Sequence, residues 1–289
     1  MFNFLKYRYI ALALSVSAIV LFLGLYFYKG GLTYSVEFTG GTQVLMRFEK
    51  PVNADDLRSV LSKNWPRVQP PREFSNKEFL VRVQAFENDT RGLADRMRQA
   101  VQEAMPDNPV TIDKSEAVGP GVGADLRWKS MRAVLLALLL MLFYIAWRFW
   151  SIGFAMGAVV ALFHDAIMIV GMFLLLNRDI SINVIGAILA MLGYSINDTI
   201  VIFARMRENI KKMRGASLPD IVNASLNQTF KRTLLTSFST FLMVSPMFLF
   251  GGEVLRDFSL ALLLGIFFGT YSSIYIASPL MMLLHKEEK

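Results

Sequence analysis

Cysteine is absent from this chain, which excludes disulfides, cysteine nucleophiles and thiolate metal sites. That lack suits a protein with a domain on an oxidising side of a membrane. Charge is also scarce, but only in places. Residues 9–28, and most of 133–284 outside its loops, carry little of it. Between these stretches, residues 29–130 hold 15 Lys/Arg against 14 Asp/Glu, the balance of ordinary globular sequence. With 54% hydrophobic residues overall, the chain is too apolar for a soluble protein. Its net charge of +7 does not come from the globular part. Segment 205–232 supplies Arg205, Arg207, Lys211, Lys212, Arg214, Lys231 and Arg232 against only Glu208 and Asp220. A basic surplus between apolar runs reads first as an orientation signal and second as a ribosome- or lipid-contacting patch, ahead of nucleic-acid binding.

About 20 apolar residues are needed to cross a bilayer. Tyr9–Tyr28 qualifies. It is too long for the apolar core of a cleaved signal peptide, and Tyr26-Phe27-Tyr28-Lys29 lacks a small-residue cleavage site, so a retained anchor is expected. Further spans are expected at 131–149, 152–176, 180–204, 233–250 and 257–284. Arg148-Phe149-Trp150-Ser151 and Asn177-Arg178-Asp179 read as tight turns on opposite sides. Six spans entered from the cytoplasm put Arg148, the 205–232 loop, Lys286–Lys289 and both termini inside, in accord with the positive-inside rule. The expected division is 1–28 (terminus and first span), 29–130 (an outer α+β domain with a Gly-rich hinge) and 131–289 (five spans).

Within 29–130, Thr33–Phe48 reads as a strand, with Val36, Phe38, Val44, Met46 and Phe48 at period two. Asn53–Asn64 opens with an Asn cap and an acidic first turn, then spaces Leu57, Val60 and Leu61 helically. Val68–Phe74 and Glu78–Ala85 flank a hairpin signal at Ser75-Asn76-Lys77. A second amphipathic helix runs from Asp89 or Thr90 to Met105, and Pro109–Val118 is a last strand. The order βαββαβ is the ferredoxin-like pattern, a fold that names no function by itself. Gly119, Pro120, Gly121 and Gly123 then form a hinge or a plain surface linker before the second span.

Ionisable groups inside a span are costly, and their default reading is functional. His164 and Asp165 lie about 18–20 Å into the third span, near the midplane. Asp198 lies in the fourth, seven residues before Arg205. Arg232 opens the fifth at the same end, where it either snorkels to the interface or faces a carboxylate. An Asp opposite an Arg is an element that one proton can bias between two states; the other reading is a buried pair that only fixes helix register. Asn197 is a polar neighbour of Asp198, and Gly193 admits close helix approach. Small residues at four-residue spacing, including Gly265, Gly269 and Ser273, mark helix-packing faces.

Several stretches match one family in order along the whole chain. Val36-Glu37-Phe38-Thr39-Gly40-Gly41-Thr42 resembles the double-glycine motif that opens the outer domain of SecF-type subunits in the SecD/SecF family. Val118-Gly119-Pro120-Gly121-Val122-Gly123 and Phe163-His164-Asp165 resemble that family's later motifs. The most distinctive match is Gly193-Tyr194-Ser195-Ile196-Asn197-Asp198-Thr199, continuing to Arg207-Glu208-Asn209. Leu226-Asn227-Gln228-Thr229 with Arg232-Thr233, and Gly269-Thr270-Tyr271-Ser272-Ser273, complete the set. Glu37 stands where the family more often has Asp. Ala204 stands where it commonly has an acidic residue, so no carboxylate role carries over there.

The resemblance implies an accessory subunit of bacterial protein export, in the inner membrane, with residues 29–130 in the periplasm. It implies a partner SecD in a twelve-span complex similar to resistance-nodulation-division exporters, acting with the SecYEG channel. Such a complex is thought to use the proton gradient to pull unfolded polypeptide outward. Membrane lipid is the remaining contact, and no nucleic acid, cofactor or metal is implied. Asp198 and Arg232 would carry proton coupling, with Asp165 and His164 as further participants. The competing functions are a small-molecule exporter subunit of the same superfamily, a passive scaffold at the channel, and an intramembrane aspartyl protease using Asp165 and Asp198. The protease fits poorly, because Asp198 sits in Gly-Tyr-Ser-Ile-Asn-Asp and not in a Gly-x-Gly-Asp sequence. No enzyme activity is expected.

Overall fold

The structure, a computed structural model, describes residues 2–65, 68–83, 90–149 and 151–284. It divides into two units, one built from 1–33 and 132–289 and the other from 34–131.

The 34–131 unit is a four-stranded antiparallel sheet in the order β2-β3-β1-β4, where β1 is Gly41–Phe48, β2 Arg72–Ser75, β3 Glu78–Val83 and β4 Val110–Val118. Alternate residues Val44, Met46 and Phe48 of β1 point inward with Phe79, Val81 and Val83 of β3. They meet Leu57 and Leu61 of helix α3 (Ala54–Asn64) and Leu93, Met97 and Val101 of α4 (Thr90–Ala104). Asn53 caps α3 as expected, its side chain accepting from Asp55 N. The helices, the hairpin turn and the last strand thus fall where the sequence pattern predicts, but the hairpin's first strand begins only at Arg72, after an isolated bridge at Val68, and not at the expected Val68. The strand end at Ala85 and the helix start at Asp89 lie outside the described residues.

One expectation fails. Val36–Thr39 is a single helical turn, α2, and the strand begins only at Gly41. The Ser35 carbonyl accepts from Phe38 N and Thr39 N, and Gly40 and Gly41 have φ of 75° and 113°. A turn of helix also buries Val36 and Phe38, so period-two spacing over three residues did not discriminate.

Among the described residues of the chain, six helices are long and apolar enough to cross a membrane. They are α1 (Arg8–Lys29, preceded by a tight turn at Phe4–Tyr7), α5 (Pro120–Phe149), α6 (Ile152–Leu175), α7 (Ile182–Lys212), α8 (Leu218–Phe250) and a last span. That last span joins α9 (Gly252–Ser272), a π-helical turn (Ser273–Ala277) and α10 (Ser278–Leu284). α6, α7 and the last span are the most buried, while α1, α5 and α8 keep most of their apolar surface exposed.

Two boundaries differ from the sequence reading. The stretch 119–123 is not an extended linker, because α5 starts at Pro120, whose fixed φ and missing N–H suit a first helical position. Segment 205–232 is also not an open loop. α7 continues through Lys212, and α8 begins at Leu218 with Ser217 accepting from Asp220 N, leaving a connection of only 213–217. Charged residues are good helix formers, so the helices run on where the apolar pattern stops. Trp150 and Lys286–Lys289 lie outside the described residues.

Candidate functional site: polar groups inside the helix bundle

Within the bundle α6 turns His164 and Asp165 inward, at 5% and 2% exposure. Burial at that level demands partners, and they come from three other spans. Asp165 Oδ2 accepts from Ser195 Oγ of α7 at 2.7 Å and from Ser272 Oγ of α9 at 2.9 Å. Its Oδ1 lies 3.2 Å from His164 Nδ1, and His164 Nε2 lies 3.1 Å from Ser15 Oγ of α1. Ser15 Oγ lies 2.9 Å from the Tyr271 hydroxyl, which donates to Ala11 O at 2.6 Å. One turn further along α7, Thr199 Oγ1 pairs with Ser273 Oγ at 2.8 Å.

Small residues make these short bonds possible. A Cβ added at Gly269 would sit 2.9 Å from Ser195 Cβ, one at Gly265 2.6 Å from Met191 Cγ, and one at Gly157 2.7 Å from Ala277 O. Only glycine lets α7 and α6 approach the last span so closely. The π turn contributes as well. Its widened ring lets Ser278 Oγ donate to Ser273 O at 2.8 Å, so this irregular backbone lies beside the carboxylate-bearing helices. Ser273, Gly265 and Gly269 lie at these helix contacts. Gly193 is different: it is exposed, with only Met141 at 4.0 Å.

Asp198 follows Ser195 by about one turn and is 4% exposed. The Thr236 hydroxyl of α8 approaches its carboxyl, which also lies in the field of the exposed Arg232 guanidinium. Residues from two spans are thus brought together, although the described residues show no direct ion pair between Asp198 and Arg232. Beside them, α7 and α8 leave a recess of about 360 Å³ lined by Tyr194, Asn197, Leu235, Thr236, Ser239 and Thr240. Asn197 points into this recess rather than into the bundle core. Thr236 is common to the recess and the Asp198 site.

At the end of α7 near the 213–217 connection, Asn209 Nδ2 donates to Ser225 Oγ and Gln228 Oε1 at 2.8 and 2.9 Å. Asn223 and Asn227 hold the start of the chain. Phe2 N donates to Asn227 Oδ1 at 2.8 Å, and Phe4 N to Asn223 Oδ1 at 2.9 Å. At the opposite end of α1, Lys29 Nζ donates to Leu174 O at 2.7 Å, covering a carbonyl in the last turn of α6, and to the Asn177 side-chain Oδ1 at 2.6 Å. In the 34–131 unit, Gly123 packs on the double-glycine turn, where a Cβ would meet Gly40 N and Phe38 O at 3.0 Å. Gly121 has open space around it.

Sequence reasoning overlooked Ser15, Thr236 and Asn223. Ser15 had a visible signal, since Ser15 and Ser17 are the only non-aromatic hydroxyls in the run 9–28. Thr236 and Asn223 had none, because their importance comes only from partners distant in sequence.

Comparison with known proteins accounts for the combination. The family model for the C-terminal region of the protein export membrane proteins SecD and SecF matches residues 97–287, and the SecD/SecF GG motif matches 27–52. The chain belongs to the SecD/SecF family. The second match contains the Gly40–Gly41 turn against which Gly123 packs. A protein translocase subunit SecF of Thermodesulfovibrio yellowstonii is 37% identical, over 98% of this chain and 95% of its own length. The SecF subunit of Escherichia coli O157:H7 is 36% identical over 98% of this chain and 88% of its own. The crystal structure of SecDF, a translocon-associated membrane protein from Thermus thermophilus, superposes with a TM-score of 0.87 at 38% identity. That match covers 96% of this chain but only 38% of the longer SecDF chain. With its six apolar helices, this SecD/SecF family member is a multi-pass membrane protein.

Proposed function

We propose that this chain is the SecF-type accessory subunit of Sec protein export and that it uses the proton motive force to promote late polypeptide translocation. Its partners are a SecD subunit, the SecYEG channel, the unfolded chain in transit and the surrounding lipid. The fused SecDF relative supports the SecD partner. The basic stretch 205–214 supports an inner-membrane topology with both termini in the cytoplasm. In that reading the 34–131 unit is a ferredoxin-like βαββαβ domain in the periplasm between the first and second spans. The helix bundle is of the resistance-nodulation-division kind, the 119–123 stretch hinges the two, and no enzyme chemistry is involved.

The observation that carries the proton-coupling step is Asp198, buried between α7 and α8 beside Thr236 and within the field of Arg232. Its protonation removes the attraction to Arg232, and its ionisation restores it, so a proton alters the contact between two spans. The test is export in cells depleted of the chromosomal copy. Asp198→Asn and Arg232→Ala are expected to assemble normally and to lose most export. Full export by Asp198→Asn removes proton coupling at this residue and leaves a scaffold.

A further inference from the structure

The contacts of His164 can be counted in protons. Four polar contacts run in series from α6 to α1: Asp165 Oδ1 to His164 Nδ1 at 3.2 Å, His164 Nε2 to Ser15 Oγ at 3.1 Å, Ser15 Oγ to Tyr271 OH at 2.9 Å, and Tyr271 OH to Ala11 O at 2.6 Å. The far end fixes the direction. A peptide carbonyl only accepts, so the single Tyr271 proton goes to Ala11. The Tyr271 oxygen must then accept from Ser15. With its own proton used, Ser15 must accept from Nε2–H. A neutral imidazole carries one N–H, so Nδ1 is left as a lone pair facing Asp165 Oδ1. An ionised carboxylate has no proton to offer, and its Oδ2 already takes the Ser195 and Ser272 hydroxyls. Four contacts therefore share three protons, and two acceptors face each other in a buried site, an arrangement that is costly.

We propose that the His164–Asp165 pair is a second proton-holding site with a capacity of one, wired through Ser15 and Tyr271 to the first span. One added proton, placed between Oδ1 and Nδ1, completes all four hydrogen bonds. Written as Asp–COOH with neutral imidazole or as carboxylate with imidazolium, the loaded pair has the same net charge. Loss of that proton redistributes the remaining three. The ionised carboxylate keeps Nδ1–H in a charge-assisted bond. Nε2 then accepts a hydrogen bond from the Ser15 hydroxyl, and the Ser15–Tyr271 contact, which joins α1 to the last span, is left without a hydrogen. The proton thus leaves as H⁺ from Asp165–His164, and its departure is felt as a broken bond between two other helices. The ionisable groups around the pair are Tyr271 and Tyr275 from the last span, whose rings are 5.4 Å apart, and Asp198 along α7. Tyr271 lies 5.9 Å from the imidazole, centroid to centroid. At this level α1 contributes Ser15, and α10 contributes hydroxyl and apolar groups only. The inference rests on the proton-coupling reading for its role in transport, whereas the proton count stands on these distances alone.

The chain has two histidines, so His285→Gln leaves His164 as the only one. Nitrogen NMR of the ¹⁵N-histidine-labelled full chain in lipid bilayers then reports which ring nitrogen carries hydrogen. The expected result is a proton on Nε2 in the loaded state, changing to Nδ1–H alone as the pH is raised. Asp165→Asn keeps an oxygen for Ser195 and Ser272 and supplies a permanent N–H toward Nδ1. It is expected to lock His164 as Nε2–H at every pH. A wild-type Nδ1–H tautomer throughout the titration overturns the proposal, as does a wild-type Nε2–H signal that never changes. Asp198→Asn separates the two readings, since it should abolish export while leaving the His164 titration in place.

Discussion

The packing argument is most exposed at Gly269, where adding one methyl tests both the helix contact and the hydrogen bond beyond it. In Gly269→Ala the new Cβ would lie 2.9 Å from both Ser195 Cβ and Oγ, about half an ångström inside ordinary contact. Ser195 Cβ is held by its backbone and cannot rotate away, so α7 and α9 must separate locally. The Ser195–Asp165 bond, now 2.7 Å, would lengthen toward the limit of useful geometry. Overpacking alone costs roughly 1–3 kcal/mol, and weakening a hydrogen bond to a buried carboxylate adds up to about 1.5–3 kcal/mol. Gly186→Ala is the control, since nothing lies within 4 Å of its Cβ position; there the better helix propensity of Ala leaves stability unchanged or slightly raised. The assay is reversible denaturant unfolding of the purified chain in detergent micelles. Ser195→Gly on the Gly269→Ala background removes the clash without restoring the hydrogen bond, so it should recover only part of the loss. Equal stability of Gly269→Ala and Gly186→Ala would refute the claim that glycine is required for this approach.

Two further outcomes follow from the same geometry. Gly123→Ala meets backbone atoms of Phe38 and Gly40 at 3.0 Å, which cannot yield as a side chain can, so protease resistance of the 34–131 unit should fall while Gly121→Ala leaves it unchanged. Asn227→Ala removes the acceptor for Phe2 N and a donor to Phe2 O, a loss of about 1–2 kcal/mol of local docking that limited N-terminal proteolysis would register.

Much of this arrangement is legible in the sequence because lipid and water impose simple rules. The apolar runs marked the six spans, and β1 showed its buried face through period-two spacing. Asp198, Asp165 and His164 stood out because charge is rare at that depth. What was not legible depends on contacts between distant residues. Ser15 becomes significant only opposite His164, 149 positions away, and Thr236 only opposite Asp198. Val36–Thr39 was misread because four residues satisfy a strand pattern and a helical turn equally well, and the deciding feature, the positive φ of Gly40 and Gly41, is a backbone property. The end of α7 was set too early and the start of α8 too late because hydropathy marks the limits of an apolar run, while a helix continues as long as its residues favour it.

The polar fastenings at the two ends of α1 have a consequence for biosynthesis. Lys29 is bound by groups made 145 and 148 residues later, and Phe2 by an asparagine made 225 residues later. At about 5–20 residues per second, the first span waits roughly 7 to 45 s for its partners to be synthesised. During that interval it must be stable alone in lipid, and a run whose only non-aromatic hydroxyls are Ser15 and Ser17 is suited to that. Of these, Ser15 is the one that later meets His164 and Tyr271 of the last span, so the helix enters the bilayer as an independent anchor and becomes part of the bundle only when the rest of the chain arrives.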